Sequence, residues 1–388
     1  MNQPAKNPAR LLTPFNIIAA VILAGGAAIG LLRFTKGLGA ATNLSNDVPW
    51  GLWIGFDVMT GVALAAGGFT ITTAVYLFGM KEYKPIVRPA VLTGFLGYAL
   101  VVVGLIVDLG RPWRLPYPFI VQAGPTSAMF EIALCVMLYL TTLFIESTPA
   151  AFEWLGFKRL RKLVGSMTIA LTIFGLLLST LHQSTLGAMF LATPTRLHPL
   201  WHSTYIPVHF FVSAIAAGIS MLIVEGSLSH RVFRDQIEIS HEQFDKITIG
   251  LGKAGAVVLL TYLIIKVMAI GLENEWHYLA TPYGALFLIE LLGFVALPCF
   301  GFLLGYRERR PLLIRISAVI TVIGIIFNRL NVSIFAYNWQ LPAERRYIPH
   351  WMEIWVTVAI VTAGVVVFRW IVKRMPILHE HPEWRGVH

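Results

Sequence analysis

LLTPFNIIAAVILAGGAAIGLL, residues 11–32, decides the fold class. The run carries no charged side chain. Roughly 20 apolar residues in a helix are enough to cross a hydrocarbon core of about 30 Å. Stretches of the same kind recur within 50–80, 89–108, 127–145, 164–189, 206–228, 249–270, 284–304, 314–334 and 351–371. Ten such spans predict an all-α polytopic membrane protein. The chain is 56% hydrophobic and 13% charged, with a mean hydropathy of +0.71. That balance excludes a soluble globular protein and a disordered one. Lys6 and Arg10 precede the first run as in a signal peptide. The run is nevertheless long enough to span, with no convincing cleavage site after it, and it reads as an uncleaved first helix.

Lysine and arginine set the expected orientation. The N-terminal tail, the even-numbered connections and the C-terminal tail hold 20 of the 30. The opposite side holds 7: Arg33, Lys36, Arg111, Arg114, Arg196, Arg345 and Arg346. Lys253, Lys266 and Arg329 fall inside spans. This bias predicts a multi-pass membrane protein with both termini in the cytoplasm. The net charge of +10 is then a mark of topology, and because the basic residues are dispersed, no nucleic-acid partner is expected. The basic segments FKRLRK (157–162) and YRERRPLL (306–313) read as anchors on the inner side.

Four ionisable residues lie in or at the ends of spans and should share one depth near the outer face. Asp57 falls roughly 10 Å into the second span, Asp108 ends the third, Glu131 lies about one turn into the fourth, and His182 about two turns before the end of the fifth. Charge in hydrocarbon is costly, so an acid at that depth is a functional hypothesis by default. Blander readings stand beside it. Asp108 could cap its helix and pair with Arg111 or Arg114, and Asp57 could be a structural acid in a Gly-rich helix. In the second half, Glu225 and Lys253 could form a buried pair. Together with Glu290 and Arg329 they could instead mark a proton route toward the cytoplasm.

The external segment LGRPWRLPYPFIVQAGPT (109–126) is dense in Pro and aromatics, which suits either an interfacial aromatic belt or a docking surface for another protein. The expected division is residues 1–48 (tail, first span and loop), 49–205 (a four-helix bundle of spans 2–5), 206–350 (a second bundle of spans 6–9) and 351–388 (last span and tail). Glu131 against Glu290, and His182 against Arg329, suggest a faint internal repeat. Two cysteines, Cys135 and Cys299, are too few for an iron–sulfur cluster in this chain. His182 and His209 could together hold one haem, but no second pair exists for a haem wire across the membrane.

The strings NDVPWGLWIGFD (46–57), VDLGRPWRLPYPF (107–119), FEIALCVMLY (130–139), LHQSTLGAMF (181–190) and HPLW (198–201) resemble the NrfD/PsrC family of membrane subunits of bacterial redox complexes. Within it they are most similar to the HybB branch found with nickel–iron hydrogenase-2. The resemblance implies a bound menaquinone or ubiquinone near the outer face and no haem. It also implies a periplasmic ferredoxin-like iron–sulfur subunit docked on the external loops, beside hydrogenase large and small subunits. On that reading Glu131 and His182 are the nearest proton donors to the quinone, with Asp57 behind them. Trp50, Trp53, Asp108, Arg111, Trp113 and Tyr117 would then border its entrance. The rival expectations are a secondary transporter, suggested by the repeat, and a passive membrane anchor.

Overall fold

The computed structural model describes residues 13–379. Lys6, Arg10, Arg385 and the first two residues of the 11–32 run lie outside the described residues. Among the described residues, ten helices are long and apolar enough to cross a membrane. They are α1 (Pro14–Lys36), α2 (Trp53–Leu77), α3 (Lys81–Asp108), α4 (Ala128–Leu155), α5 (Lys158–Ala192), α6 (Ile206–Val232), α7 (His241–Glu273), α8 (Pro282–Arg307), α9 (Pro311–Phe335) and α10 (Trp351–Arg374). The chain is therefore an all-α, multi-pass integral membrane protein. The only β-type pairing among the described residues is a single bridge between Leu197 and Tyr337.

Several helices outrun the apolar stretches that announced them. α4 continues to Leu155 and α5 begins at Lys158, so these two form a long hairpin whose polar ends project beyond the apolar stretch. Helix–helix packing supports backbone hydrogen bonding past the point where hydropathy falls.

Helices α2 to α5 pack in a ring, each against the next and α5 back on α2; α6 to α9 repeat the arrangement. The two rings meet where α2 touches α6 and α9, and where α5 touches α6. α1 and α10 pair with each other, and α10 lies against α3 and the start of α2. The α2–α6 crossing is close because it is built on glycine. A Cβ at Gly218 would lie 2.6 Å from the backbone nitrogen of Gly67. Small residues at such crossings let backbones touch where no hydrophobic effect drives helices together.

α2 is not one regular helix. It runs as a π-helix over Trp53–Thr60, turns α-helical, breaks at Ala65–Ala66 and resumes at Gly67. Such breaks free backbone carbonyls that need another donor in a dry interior. Gln183 of α5 supplies one, its Nε2 donating to the Val62 carbonyl at 3.0 Å. π-Helical turns also occur in α8 (Ile289–Ala296) and α9 (Asn331–Phe335).

The loops opposite the basic face interlock. The His198 amide donates to the Ala336 carbonyl at 3.0 Å, and the Asn338 amide to the Arg196 carbonyl at 2.6 Å. The segment after α5 is thereby tied to the segment after α9, which fixes the mouths of the two rings relative to each other.

Candidate functional site

The ionisable groups expected at one depth separate into two places, and a third cluster proves the most densely bonded of all.

The first place lies inside the α2–α5 ring. His182 is fully buried. Its Nδ1 lies 2.6 Å from the Leu178 carbonyl, and its Nε2 lies 2.6 Å from the Tyr98 hydroxyl. A carbonyl only accepts, so Nδ1 carries the proton, Nε2 presents a lone pair, and Tyr98 donates to it. Tyr139 packs edge-on to Tyr98 with ring centroids 4.7 Å apart, and its ring also contacts His182. One turn nearer the loop end of α5, Thr185 shares the His182 face of the helix. Its hydroxyl donates to Glu131 Oε1 at 2.8 Å. Glu131 itself is only partly buried. A carboxylate near the surface is thus joined, through one hydroxyl and one turn of helix, to an interior imidazole–phenol pair.

Asp57 is not behind His182. It is buried, and Thr357 of α10 donates to its Oδ2 at 2.7 Å. On α3 it abuts Gly104, where a Cβ would sit 2.8 Å from that of Asp57. Tyr98 and Gly104 are six residues apart, so they point about 120° apart around α3. That rotation separates Asp57 from the His182 pair. Asp108 sits in the same α1–α3–α10 seam. The expected pairing with Arg111 or Arg114 does not form; the charge that acts on Asp108 is that of Arg33 of α1, which makes no ion pair with it within 4 Å. Arg33 also donates to the carbonyls of Val107, at 2.5 Å, and Leu109, closing the end of α3. Glu353 of α10 accepts from the amides of Asn43 and His350 and from the Tyr347 hydroxyl. Burial and the neighbouring Glu353 carboxylate raise the Tyr347 phenol above its ordinary pKa.

The residues expected at a quinone entrance do not converge either. Trp53 is buried and its indole donates to the Glu353 carbonyl at 3.2 Å, so it belongs to the Asp57 seam. Trp50 stacks on Tyr337, with centroids 6.0 Å apart, at the junction of the rings. Arg111, Trp113 and Tyr117 stand exposed on the 109–126 segment.

The third cluster lies in the α6–α9 ring. Glu290 accepts from Trp201 Nε1 at 2.8 Å and from the amides of Asn328 and Asn331, each at 2.7 Å. Lys266 Nζ lies 3.9 Å from the same carboxylate. Arg329 donates to Asn328 Oδ1 at 2.7 Å, to Ser213 Oγ at 2.8 Å and to the Phe210 carbonyl, with its guanidinium over the Phe210 ring. All of these side chains are buried. Glu290 and Arg329 were legible as polar intruders. Asn328 and Asn331 were legible as further polar groups beside them; that these amides and the Trp201 indole converge on the Glu290 carboxylate was not, because a hydropathy profile carries no direction. The expected Glu225–Lys253 pair does not form. Glu225 accepts from Ser229 at 2.8 Å, whereas Lys253 is exposed and lies over the Tyr306 ring. Consecutive helices placed the two residues near each other in sequence terms, but α7 turns Lys253 outward, where a long stem can carry its charge to the interface.

The same wiring recurs in the two rings. In each, a carboxylate on the third helix accepts from the fourth: Glu131 from Thr185, Glu290 from Asn328 and Asn331. Only the first ring leaves its acid near the surface.

His198, in the loop between α5 and α6, is enclosed by Tyr283 (4.7 Å between centroids), Trp339 (4.8 Å) and Tyr278 (5.1 Å). Burial lowers its pKa from the ordinary 6.5 to about 4. Its Nδ1 accepts from the Leu200 amide, which requires the neutral ring. A depressed histidine pKa means the unfolded segment binds more protons between about pH 4 and 6.5. The loop contacts should therefore be at full strength above pH 6.5 and weaken as pH falls toward 4. Hydrogen-exchange protection factors of residues 193–205, corrected for the intrinsic rate at each pH, should fall over that window, and His198→Phe should flatten the response.

His182 offers a haem iron no free nitrogen, since both ring nitrogens are engaged at 2.6 Å. A haem held between His182 and His209, the one arrangement the sequence left open, therefore does not fit. Among the described residues, no group of three or more His, Cys, Asp or Glu side chains is placed to hold a metal ion.

Comparison with known proteins places this geometry. A chain of Nitratidesulfovibrio vulgaris is 53% identical over the full length of both. The probable Ni/Fe-hydrogenase 2 b-type cytochrome subunit of Escherichia coli is 28% identical, over 96% of this chain and 92% of its own. The menaquinone reductase integral membrane subunit of Nitratidesulfovibrio vulgaris is 26% identical, over 90% and 87% respectively. Residues 40–339 match the family described as polysulphide reductase, NrfD, and the chain belongs to that family.

Proposed function

We propose that this chain is the quinone-interacting membrane subunit of a respiratory oxidoreductase. Electrons enter from a ferredoxin-like iron–sulfur subunit docked on the loops opposite the basic face, and menaquinone or ubiquinone is the acceptor. The observation that carries the reading is the Glu131–Thr185 hydrogen bond one turn from the His182–Tyr98 pair. Two-electron reduction of a quinone consumes two protons, and this arrangement holds two proton-bearing systems at graded depth. Glu131 delivers the first from near the surface. The second is held by Tyr98: its hydroxyl proton passes to the reduced acceptor's oxygen, and His182 Nε2, which faces the phenolate left behind, receives the replacement proton from solvent and hands it back. The ring interior excludes water, so protons reach the acceptor along held side chains.

The basic face is the cytoplasmic one, with both termini there, and the membrane is the bacterial inner membrane. A nickel–iron hydrogenase is the favoured catalytic partner, supported by the similarity to the Escherichia coli hydrogenase-2 subunit. That relative's name includes a b-type cytochrome; here the occupied nitrogens of His182 support a chain that works without a bis-histidine haem. The exposed Trp113, Tyr117, Ile120 and Val121 of the 109–126 segment supply an apolar docking surface for the iron–sulfur subunit.

A photoreactive menaquinone analogue applied to the purified protein tests this. Label that excess menaquinone competes away should fall within residues 128–139 and 181–192. A passive anchor would show no competed label, and label confined to α7–α9 would move the site to the other ring.

A further inference from the structure

One cavity among the described residues lies away from the proposed quinone side. It opens at the basic face between the inner ends of α2, α3, α4 and α5, with a volume of about 590 Å³. Five cations border it: Lys81, Lys84, Arg88, Arg161 and Lys162. Glu153 neutralises part of this charge, binding Arg88 at 2.8 Å and Arg161 at 3.2 Å. No ion pair among the described residues holds Lys81 or Lys162. Glu238 borders the cavity as well, and Glu146 lies in its wall on α4.

We infer that this cavity is a binding site for the phosphate headgroup of an anionic phospholipid. Two features of its shape support a lipid over a free anion. The cations cluster where α3 and α5 begin, at the level of the headgroups. From Arg161 to Leu171 the wall then extends about 15 Å along α5, through Val164 and Ile169. Val87 and Val91 of α3 line the facing side. A basic mouth above an aliphatic trough matches an amphiphile, whereas a free phosphate would use only the mouth. Glu146, deeper than the lysines, adds no cation to the interior, so the groups that would hold a phosphate are confined to the rim. Basic pockets between membrane helices on the cytoplasmic side suit such headgroups, because the headgroup charge and its acyl chains are satisfied at once. The lipid would join the α4–α5 hairpin to α2 and α3 at the end of the ring remote from Glu131.

Native mass spectrometry of the full chain, released from micelles containing phosphatidylglycerol or phosphatidylcholine of the same acyl length, tests this. Phosphatidylglycerol should remain bound and phosphatidylcholine should not. Lys81→Gln/Lys162→Gln should weaken retention at least roughly tenfold, since each basic residue near a headgroup contributes about a fivefold factor. Lys81→Arg/Lys162→Arg should restore it. Gly165→Leu is a second variant that leaves the charges alone. A Cβ there meets nothing within 4 Å, so the change narrows the trough without a clash and should also lower retention. Equal retention of phosphatidylcholine would overturn the inference. So would an unaltered Lys81→Gln/Lys162→Gln variant, or displacement of the lipid by millimolar inorganic phosphate, which would mark a free-anion site.

Discussion

Arg329→Met is expected to destabilise the folded chain by about 3–5 kcal/mol, the usual cost of removing one member of a buried charged network. The guanidinium makes three hydrogen bonds and lies 3.9 Å from the centroid of the Phe210 ring, all within the α6–α9 ring. Methionine fills much of the volume but leaves Asn328 Oδ1 and Ser213 Oγ without their donor. Asn328 also holds Glu290, so the loss reaches the carboxylate that anchors Trp201 and the loop after α5. Arg329→Lys should recover little, because a single ammonium cannot span Asn328, Ser213 and the Phe210 carbonyl together. Thermal unfolding of the purified protein measures this. Lys253→Met is the control: that lysine is exposed, and its loss should stay within about 0.5 kcal/mol.

The ten spans were legible because hydrocarbon imposes a length and an apolar composition that few other environments require. The pairing of helices into two rings was suggested by the spacing of Glu131, His182, Glu290 and Arg329, and short links make sequential helices neighbours. What the sequence hid was direction. Asp57 and His182 were expected at one depth, but they meet α3 at Gly104 and Tyr98, about 9 Å apart along its axis and about 120° apart around it, and so fall in different seams. The break in α2 left a signal only in Gly61, Gly67 and Gly68, which read as a Gly-rich helix and nothing more. Arg33 looked like an interfacial charge, although it reaches across to close α3. Asn328 and Asn331 stood out as polar groups in an apolar span, but their clasp on Glu290 did not, because it depends on the facing of α8 and α9.

In the α2–α5 ring, Glu131→Gln is expected to lower quinone reduction by about 100-fold, within the usual range for losing a positioned proton donor. The substitution is gentle on structure. The amide oxygen can still accept from Thr185, and the site lies partly exposed near the end of α4. What it removes is the ability to release a proton. Tyr98→Phe should act through the second system: it takes away the donor to His182 Nε2 and leaves the Leu178 bond in place.

The account therefore turns on one rate. In the assembled complex with its electron-donating partners, single-turnover reduction of bound menaquinone should be about 100-fold slower in Glu131→Gln than in the unaltered protein, with quinone affinity and subunit content unchanged. A Glu131→Gln complex that assembles normally, binds quinone and reduces it at the unaltered rate would contradict the assignment.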